Sequence, residues 1–255
     1  MSETQWTPGR VVLRELMTTD AARARGFYGE LFGWTSTELK LGSDQNYATF
    51  RQGEKVLAGF WQLGPTQIEE SRWMSYVSVR DVDATAKAAV ENGGKVVHGP
   101  ADFPHLGRYA VLEDGEGLLI LALRHVGGDP APAMPKAGEF CWETLSTSDP
   151  EKTKDFYGKV FGWQVLRGGA GDIPVFSSDG TPQGMVADLQ QARNFRPQWL
   201  TYVAVENLVA ARDKAVSLGA KVSVPLIDIP SVGRIAMIVD PTGAALGLYE
   251  PVRRN

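Results

Sequence analysis

The sequence has a single cysteine, Cys141, so no intrachain disulfide can form and nothing in its thiol content points to an oxidising compartment. It has three histidines, His98, His105 and His125. Positive charge is also short: 26 Lys and Arg stand against 30 Asp and Glu, a formal net charge of −4. With no basic surplus to neutralise phosphates, and no basic run longer than Arg253-Arg254, nucleic acid and anionic membrane surfaces are poor partners. No apolar stretch approaches the ~20 residues of a membrane helix. The first six residues lack the basic region and apolar run of a secretory signal. These absences together predict a cytoplasmic protein.

What the chain does have is a repeat. Asp20 to Trp34 reads DAARARGFYGELFGW, and Asp149 to Trp163 reads DPEKTKDFYGKVFGW. WMSYVSVRDVDA from Trp73 is matched by WLTYVAVENLVA from Trp199, and FPHLGRYAVLEDGEG from Phe103 by IPSVGRIAMIVDPTG from Ile229. The last two pairs share one offset, 126 residues (Trp73 to Trp199, Phe103 to Ile229). Ordered blocks at one spacing mark two homologous halves. Between them lies GGDPAPAMPKAG, whose prolines fix φ and remove donors, the composition of an extended linker. The expected boundaries are 10–126, a linker over 127–137, and 138–252.

Each half divides again. Val11 to Met17 suits a strand, and Asp20 is placed to cap a helix that ends near Leu31 and Gly33. Strands are expected near 35–39, 47–50 and 56–61. The cycle restarts with Trp73–Val79, a helix from Asp83 to about Asn92, and strands near 95–97, 109–112 and 118–123. This is an α+β pattern: four βαβββ modules, two to a half. Pleating puts Trp73, Val77 and Val79 on one face of their strand and Met74, Tyr76 and Ser78 on the other. Trp199, Val203 and Val205 oppose Leu200, Tyr202 and Ala204 in the same way. The first set suits packing against a helix, and the second suits the lining of a ligand cavity.

The pattern Asp-x₆-Phe-Tyr-x₃-Phe-Gly-Trp after a strand, followed later by Asp-Pro-x-Gly and an apolar strand, resembles the vicinal-oxygen-chelate superfamily. That superfamily includes glyoxalase I, extradiol dioxygenases and bleomycin-binding proteins. The chain is most similar to its two-domain group labelled glyoxalase-like or hydroxylase. The resemblance implies two glyoxalase-like half-barrel domains made by tandem duplication, each a cup in which metal-using members hold a divalent ion. Of the three ligand positions it implies, the first falls seven residues before the helix-capping Asp, on Leu13 and Trp142. The second starts the fifth strand, at Met74 and Leu200. The third falls seven residues after the turn Asp, on Leu121 and Gly247. None of these is an oxygen or imidazole donor of the kind that Mg, Mn, Fe or Zn requires. The expectation is therefore no metal and no cofactor, with a relocated divalent metal as the alternative. His98 and His105 fall in or beside a loop and His125 beyond a strand, where they read as surface residues.

Glu15 shares the inward parity of Leu13 and is the candidate catalytic residue, a general base or an anchor for a cation; alternatively it bonds a neighbouring tyrosine or tryptophan. Its counterpart is Thr144. The candidate ligand-binding residues are Trp142, Thr144, Tyr202, Tyr249, Tyr76 and Met74. Aromatic walls with polar tips suit a small organic ligand, an aromatic one included. Gly247 and Ala245 stand where the first half has Leu121 and Leu119, so the second cup is expected to be the roomier. Arg108 and Arg234 recur after a glycine and suit a turn contact. Three functional readings remain open: a metal-independent binder acting in resistance, sequestration or sensing, an enzyme of glyoxalase, dioxygenase or hydroxylase type, and a structural or interaction protein with vestigial cups. All suit a monomer or a homodimer.

Overall fold

The computed structural model describes residues 5–40, 46–64, 70–104, 106–167, 173–189 and 196–252. His105 and the Arg253-Arg254 pair lie outside the described residues. In the first half, β1 (Val11–Thr18), α1 (Ala21–Phe32), β2 (Thr35–Lys40), β3 (Asn46–Gln52) and β4 (Lys55–Gln62) form one βαβββ module. A second follows as β5 (Arg72–Ser78), α2 (Val82–Glu91), β6 (Lys95–Phe103), β7 (Gly107–Glu113) and β8 (Leu119–His125). The second half repeats this with β9 (Phe140–Thr147), α3 (Pro150–Phe161), β10 (Gln164–Leu166), β11 (Val175–Ser178) and β12 (Thr181–Asp188). Its last module is β13 (Gln198–Ala204), α4 (Leu208–Ser217), β14 (Lys221–Ile229), β15 (Gly233–Val239) and β16 (Ala245–Pro251).

Each half contributes one eight-stranded sheet, in the orders β2-β3-β4-β1-β5-β8-β7-β6 and β10-β11-β12-β9-β13-β16-β15-β14. The helix caps follow local chemistry. Asp20 and Asp149 accept from the amides of Arg23 and Lys152, and Gly33 and Gly162 close α1 and α3 at φ 73° and 72°. Only glycine takes that left-handed conformation without strain. Asp81 caps α2 and accepts from Ala84 N–H, while Asp83 in the first turn pairs with Arg108. Two expectations need correction. His98 lies inside β6, opposite Val111, because the strand runs on past its apolar start. His125 is the last residue of β8 rather than beyond it.

The chain packs as two compact units, and each draws on both halves. One comprises residues 13–73, 134–142 and 200–255, the other 1–12, 74–133 and 143–199. In the first, Leu16, Phe27, Tyr28, Trp34, Phe50 and Trp73 share a core with Val203, Leu208, Leu246 and Leu248. In the second, Val77, Ala86, Leu112 and Ile120 share one with Leu145, Phe156, Tyr157, Trp163 and Phe176. Each contains a Trp–Tyr–Asp triad, buried throughout in the first unit and with Trp199 half-buried in the second. The Trp73 indole N–H donates to Tyr28 Oη, whose O–H donates to Asp240 Oδ2, both at 2.8 Å. Trp199, Tyr157 and Asp114 repeat it at 2.8 and 2.9 Å. Burial, and then the facing carboxylate, push both tyrosines well above the usual phenol range, so they remain donors.

The second unit also carries a hydroxyl-rich carboxylate site. Glu116 accepts from the N–H of Ser148 at 2.9 Å and from the hydroxyls of Thr147 and Ser148. Burial pushes this carboxyl up, but the donors outweigh it and hold it below its ordinary value. The stability it contributes is present above the ordinary glutamate range and lost as pH falls through the lowered value. Glu116→Gln is thus expected to flatten the acid limb of melting temperature against pH below about pH 5. An unchanged acid limb in thermal melts would refute it.

Candidate functional site

The face of the first sheet away from the helices carries Glu15. Leu16 points into the helix-side core, so alternation turns Glu15 the other way, where it is nonetheless 8% exposed. Burying a carboxylate is costly without partners. One is Tyr47 of β3, whose O–H donates to Glu15 Oε2 at 3.2 Å. β3 and β1 are not neighbours: β4 runs between them, and Gly59 of β4 stands in register with Glu15. The tyrosine reaches across because Gly59 has no side chain; a Cβ there would lie 1.9 Å from Tyr47 Oη. Burial, then the Glu15 charge, push the phenol well above its usual range, fixing it as the donor. The Trp61 ring, on β4, lies 6.5 Å from that of Tyr47, centroid to centroid. Gly59→Ala is expected to displace Tyr47 from Glu15 and cost about 1–3 kcal/mol. A urea midpoint within error of the parent would count against this contact.

Sequence reasoning found Glu15 but missed Tyr47, Gly59 and Trp61. One signal was present: a glycine inside a strand of bulky residues marks a close approach. The carboxylate it serves is 44 positions away, and nothing local gives that register.

Three of the candidate ligand-binding residues come together in the first unit. Trp142 and Tyr249, both half-buried, pack with buried Leu200, Tyr202 and Ile235. Gly247 lies in register with Tyr202, and a Cβ on it would be 2.1 Å from the ring's Cδ1. The space left by Gly247 is occupied by that ring, which is 2% exposed. Tyr249 O–H donates to the Val232 carbonyl at 2.9 Å, and the Cys141 thiol to the Tyr202 carbonyl at 3.4 Å. Burial, then the nearby Cys141, raise the Tyr249 phenol.

Met74, Tyr76 and Thr144 belong to the second unit and are buried. Tyr76 faces Leu121 across the β5–β8 pair and Thr144 faces Met185 across β12–β9. The Thr144 hydroxyl has no hydrogen-bond partner among the described residues. The His98 ring lies tilted by 32° to that of Tyr109, with centroids 5.6 Å apart, and His125 Nδ1 accepts from Gly127 N–H. Arg108 pairs with Asp83 and Asp102, and Arg234 with Glu250. Among the described residues no three His, Cys, Asp or Glu side chains gather as a metal would need.

The Glyoxalase family model, described as the glyoxalase/bleomycin resistance protein/dioxygenase superfamily, matches residues 9–121 and 140–248. The chain belongs to this superfamily. A Mycobacterium tuberculosis (strain CDC 1551 / Oshkosh) protein named as a candidate glyoxylase, CFP32, is 30% identical over 97% of this chain and 95% of its own length. The anthracycline biosynthesis protein DnrV of Streptomyces peucetius is 29% identical over the same shares. Among solved structures, the Mn(II)-bound glyoxalase from Novosphingobium aromaticivorans superposes with a TM-score of 0.63 at 15% identity, over 98% of this chain and 84% of that one. The 2,3-dioxygenase LapB from Pseudomonas sp. KL28 gives 0.64 at 12%, over 96% and 93%. These likenesses establish a glyoxalase-superfamily fold of two repeated domains.

The superfamily's metal does not fit the residues present. In the second half its three implied positions hold an indole, an isobutyl group and a bare glycine covered by the Tyr202 ring. In the first half they hold Leu13, Met74 and Leu121. A thioether is a poor ligand for hard divalent ions and the others have no lone pair to offer.

Proposed function

We propose that this protein binds a small organic molecule without the superfamily's metal, on the sheet face that carries Glu15. The observation that supports the reading is the Glu15–Tyr47 pair. A carboxylate is kept 8% exposed, held by a phenol that reaches it only over Gly59, beside the Trp61 ring. Small-molecule sites are lined mostly by apolar and aromatic side chains with a few convergent polar groups. Sequestration, resistance or sensing are roles compatible with it. No described helix is long and apolar enough to cross a membrane.

The test has two arms on tag-free protein. Plasma mass spectrometry before and after incubation with Mn, Fe, Ni and Zn is expected to find metal well below one ion per chain. Thermal-shift screening of small aromatic and amphipathic compounds is expected to find stabilisers whose effect shrinks in Glu15→Gln. About one tightly held ion per chain would overturn the reading. A second reading, in which Glu15 is a general base, draws on the same buried carboxylate. It predicts turnover of a bound compound that Glu15→Gln abolishes while binding survives.

A further inference from the structure

We infer that the second half carries a site for a small zwitterion, a molecule bearing both an ammonium and a carboxylate, at the turn between β14 and β15. The inference is independent of the Glu15 reading, and either can fail alone. A cavity of about 340 Å³ opens there, within the size range of small-molecule sites. Ile229, Pro230, Pro251 and Val252 give it an apolar wall, and Asp228, Arg234 and Glu250 give it charge. Asp228 stands in register with Arg234, and Arg234 with Glu250, so the three side chains form a row on one face of the sheet. It is the helix-side face: Ala236 and Leu248, two residues along, lie in the core, and Glu250 accepts from the Leu208 N–H that opens α4.

In the first half the equivalent arginine is fully engaged. Arg108 Nε and Nη2 donate to Asp83 at 2.6 and 2.8 Å, and Nη1 donates to Asp102 at 3.2 Å. The repeat offset of 126 puts Val209 in the place of Asp83 and Asp228 in that of Asp102. Without a clamp from α4, Arg234 uses Nη2 alone, on the two Glu250 oxygens at 2.8 and 2.7 Å. Among the described residues its Nε and Nη1 have no hydrogen-bond partner, and neither has the Asp228 carboxylate. A guanidinium and a carboxylate on neighbouring strands therefore line one cavity with bonding capacity to spare. A ligand carboxylate would accept charge-assisted bonds from Arg234, and a ligand ammonium would donate to Asp228. A simple anion would meet Asp228 and Glu250, and a simple cation would meet Arg234. A molecule carrying both charges satisfies the row.

Heteronuclear NMR titration of the full chain tests this. Glycine, L-leucine, γ-aminobutyrate and ε-aminocaproate span the charge separation, and each is compared with its N-acetyl and carboxamide forms. For whichever spacing fits, the zwitterion is expected to shift the amides of Asp228, Arg234 and Glu250 saturably. It should bind about fivefold tighter than either singly charged form. Asp228 is exposed and its carboxylate supports nothing in the fold. Asp228→Asn should therefore fold normally and weaken the zwitterion to the level of its N-acetyl form. Val209→Asp should clamp Arg234 as Asp83 clamps Arg108 and weaken the zwitterion about fivefold. A zwitterion bound no tighter than its two derivatives, an affinity unchanged by Asp228→Asn, or no saturable shift with any probe would overturn the inference.

Discussion

Tyr28→Phe is expected to destabilise the protein by about 3–4 kcal/mol, although it removes one oxygen atom. That oxygen has two buried partners, the Trp73 indole N–H that it accepts from and the Asp240 carboxylate that it donates to. Without it a donor and a charged acceptor are left in an apolar core, each at its own desolvation cost. The charged one costs more. Asp240 cannot turn away, because its other oxygen accepts from the N–H groups of Thr242 and Ala244 and holds the turn before β16. Tyr157→Phe should behave alike, since Trp199 and Asp114 surround that phenol in the same way. Tyr249→Phe is the control. Its hydroxyl meets a carbonyl at the surface, so the loss should stay below about 1 kcal/mol. Urea denaturation with an unchanged slope would measure all three. A cost for Tyr28→Phe no larger than that of the control would show that the triad is not a main support of the unit.

The second large effect concerns the glycine at the third implied ligand position. Gly247→Ala places a methyl 2.1 Å from Cδ1 and 2.4 Å from Cε1 of Tyr202, distances that no rotamer adjustment of a few tenths of an ångström relieves. The ring is 2% exposed and packs with Leu200 and Ile235, so it has little room to retreat. Overpacking of this kind costs about 1–3 kcal/mol, and the upper part of that range is expected here. The decisive comparison is a double-mutant cycle. Tyr202→Ala alone should cost about 3–5 kcal/mol through the cavity it leaves, but in that background Gly247→Ala should be close to neutral. Simple additivity would mean that the ring is not what the methyl meets. The cycle also bears on metal binding. A glutamate placed at 247 alone would collide with Tyr202 before it could serve as a ligand.

Much of the architecture is legible in the residues because it depends on short-range physics. The repeat, the helix caps at Asp20 and Asp149 and the closing glycines need only a few neighbouring residues to act. Strand pleating assigns Leu16 and Val203 to one face and Glu15 and Tyr202 to the other without knowledge of the partner strands. The superfamily and the absence of donors at its ligand positions follow from the same stretches. The limits of such reading are also visible. His98 reads as loop because Gly99 and Pro100 follow it, yet pairing with β7 holds it in a strand.

Tertiary structure decided the rest, through contacts between residues far apart in the chain. Tyr28 finds Asp240 from 212 positions away, and so α1 packs with the last module of the chain as well as with Trp73 of β5. Tyr47 meets Glu15 because β4 lies between their strands and presents a glycine at that register. Tyr202 covers Gly247 because parallel pairing of β13 and β16 sets them side by side. Composition and periodicity settle which face a side chain occupies. Which neighbour it finds there depends on strand order and register, which are properties of the assembled sheet.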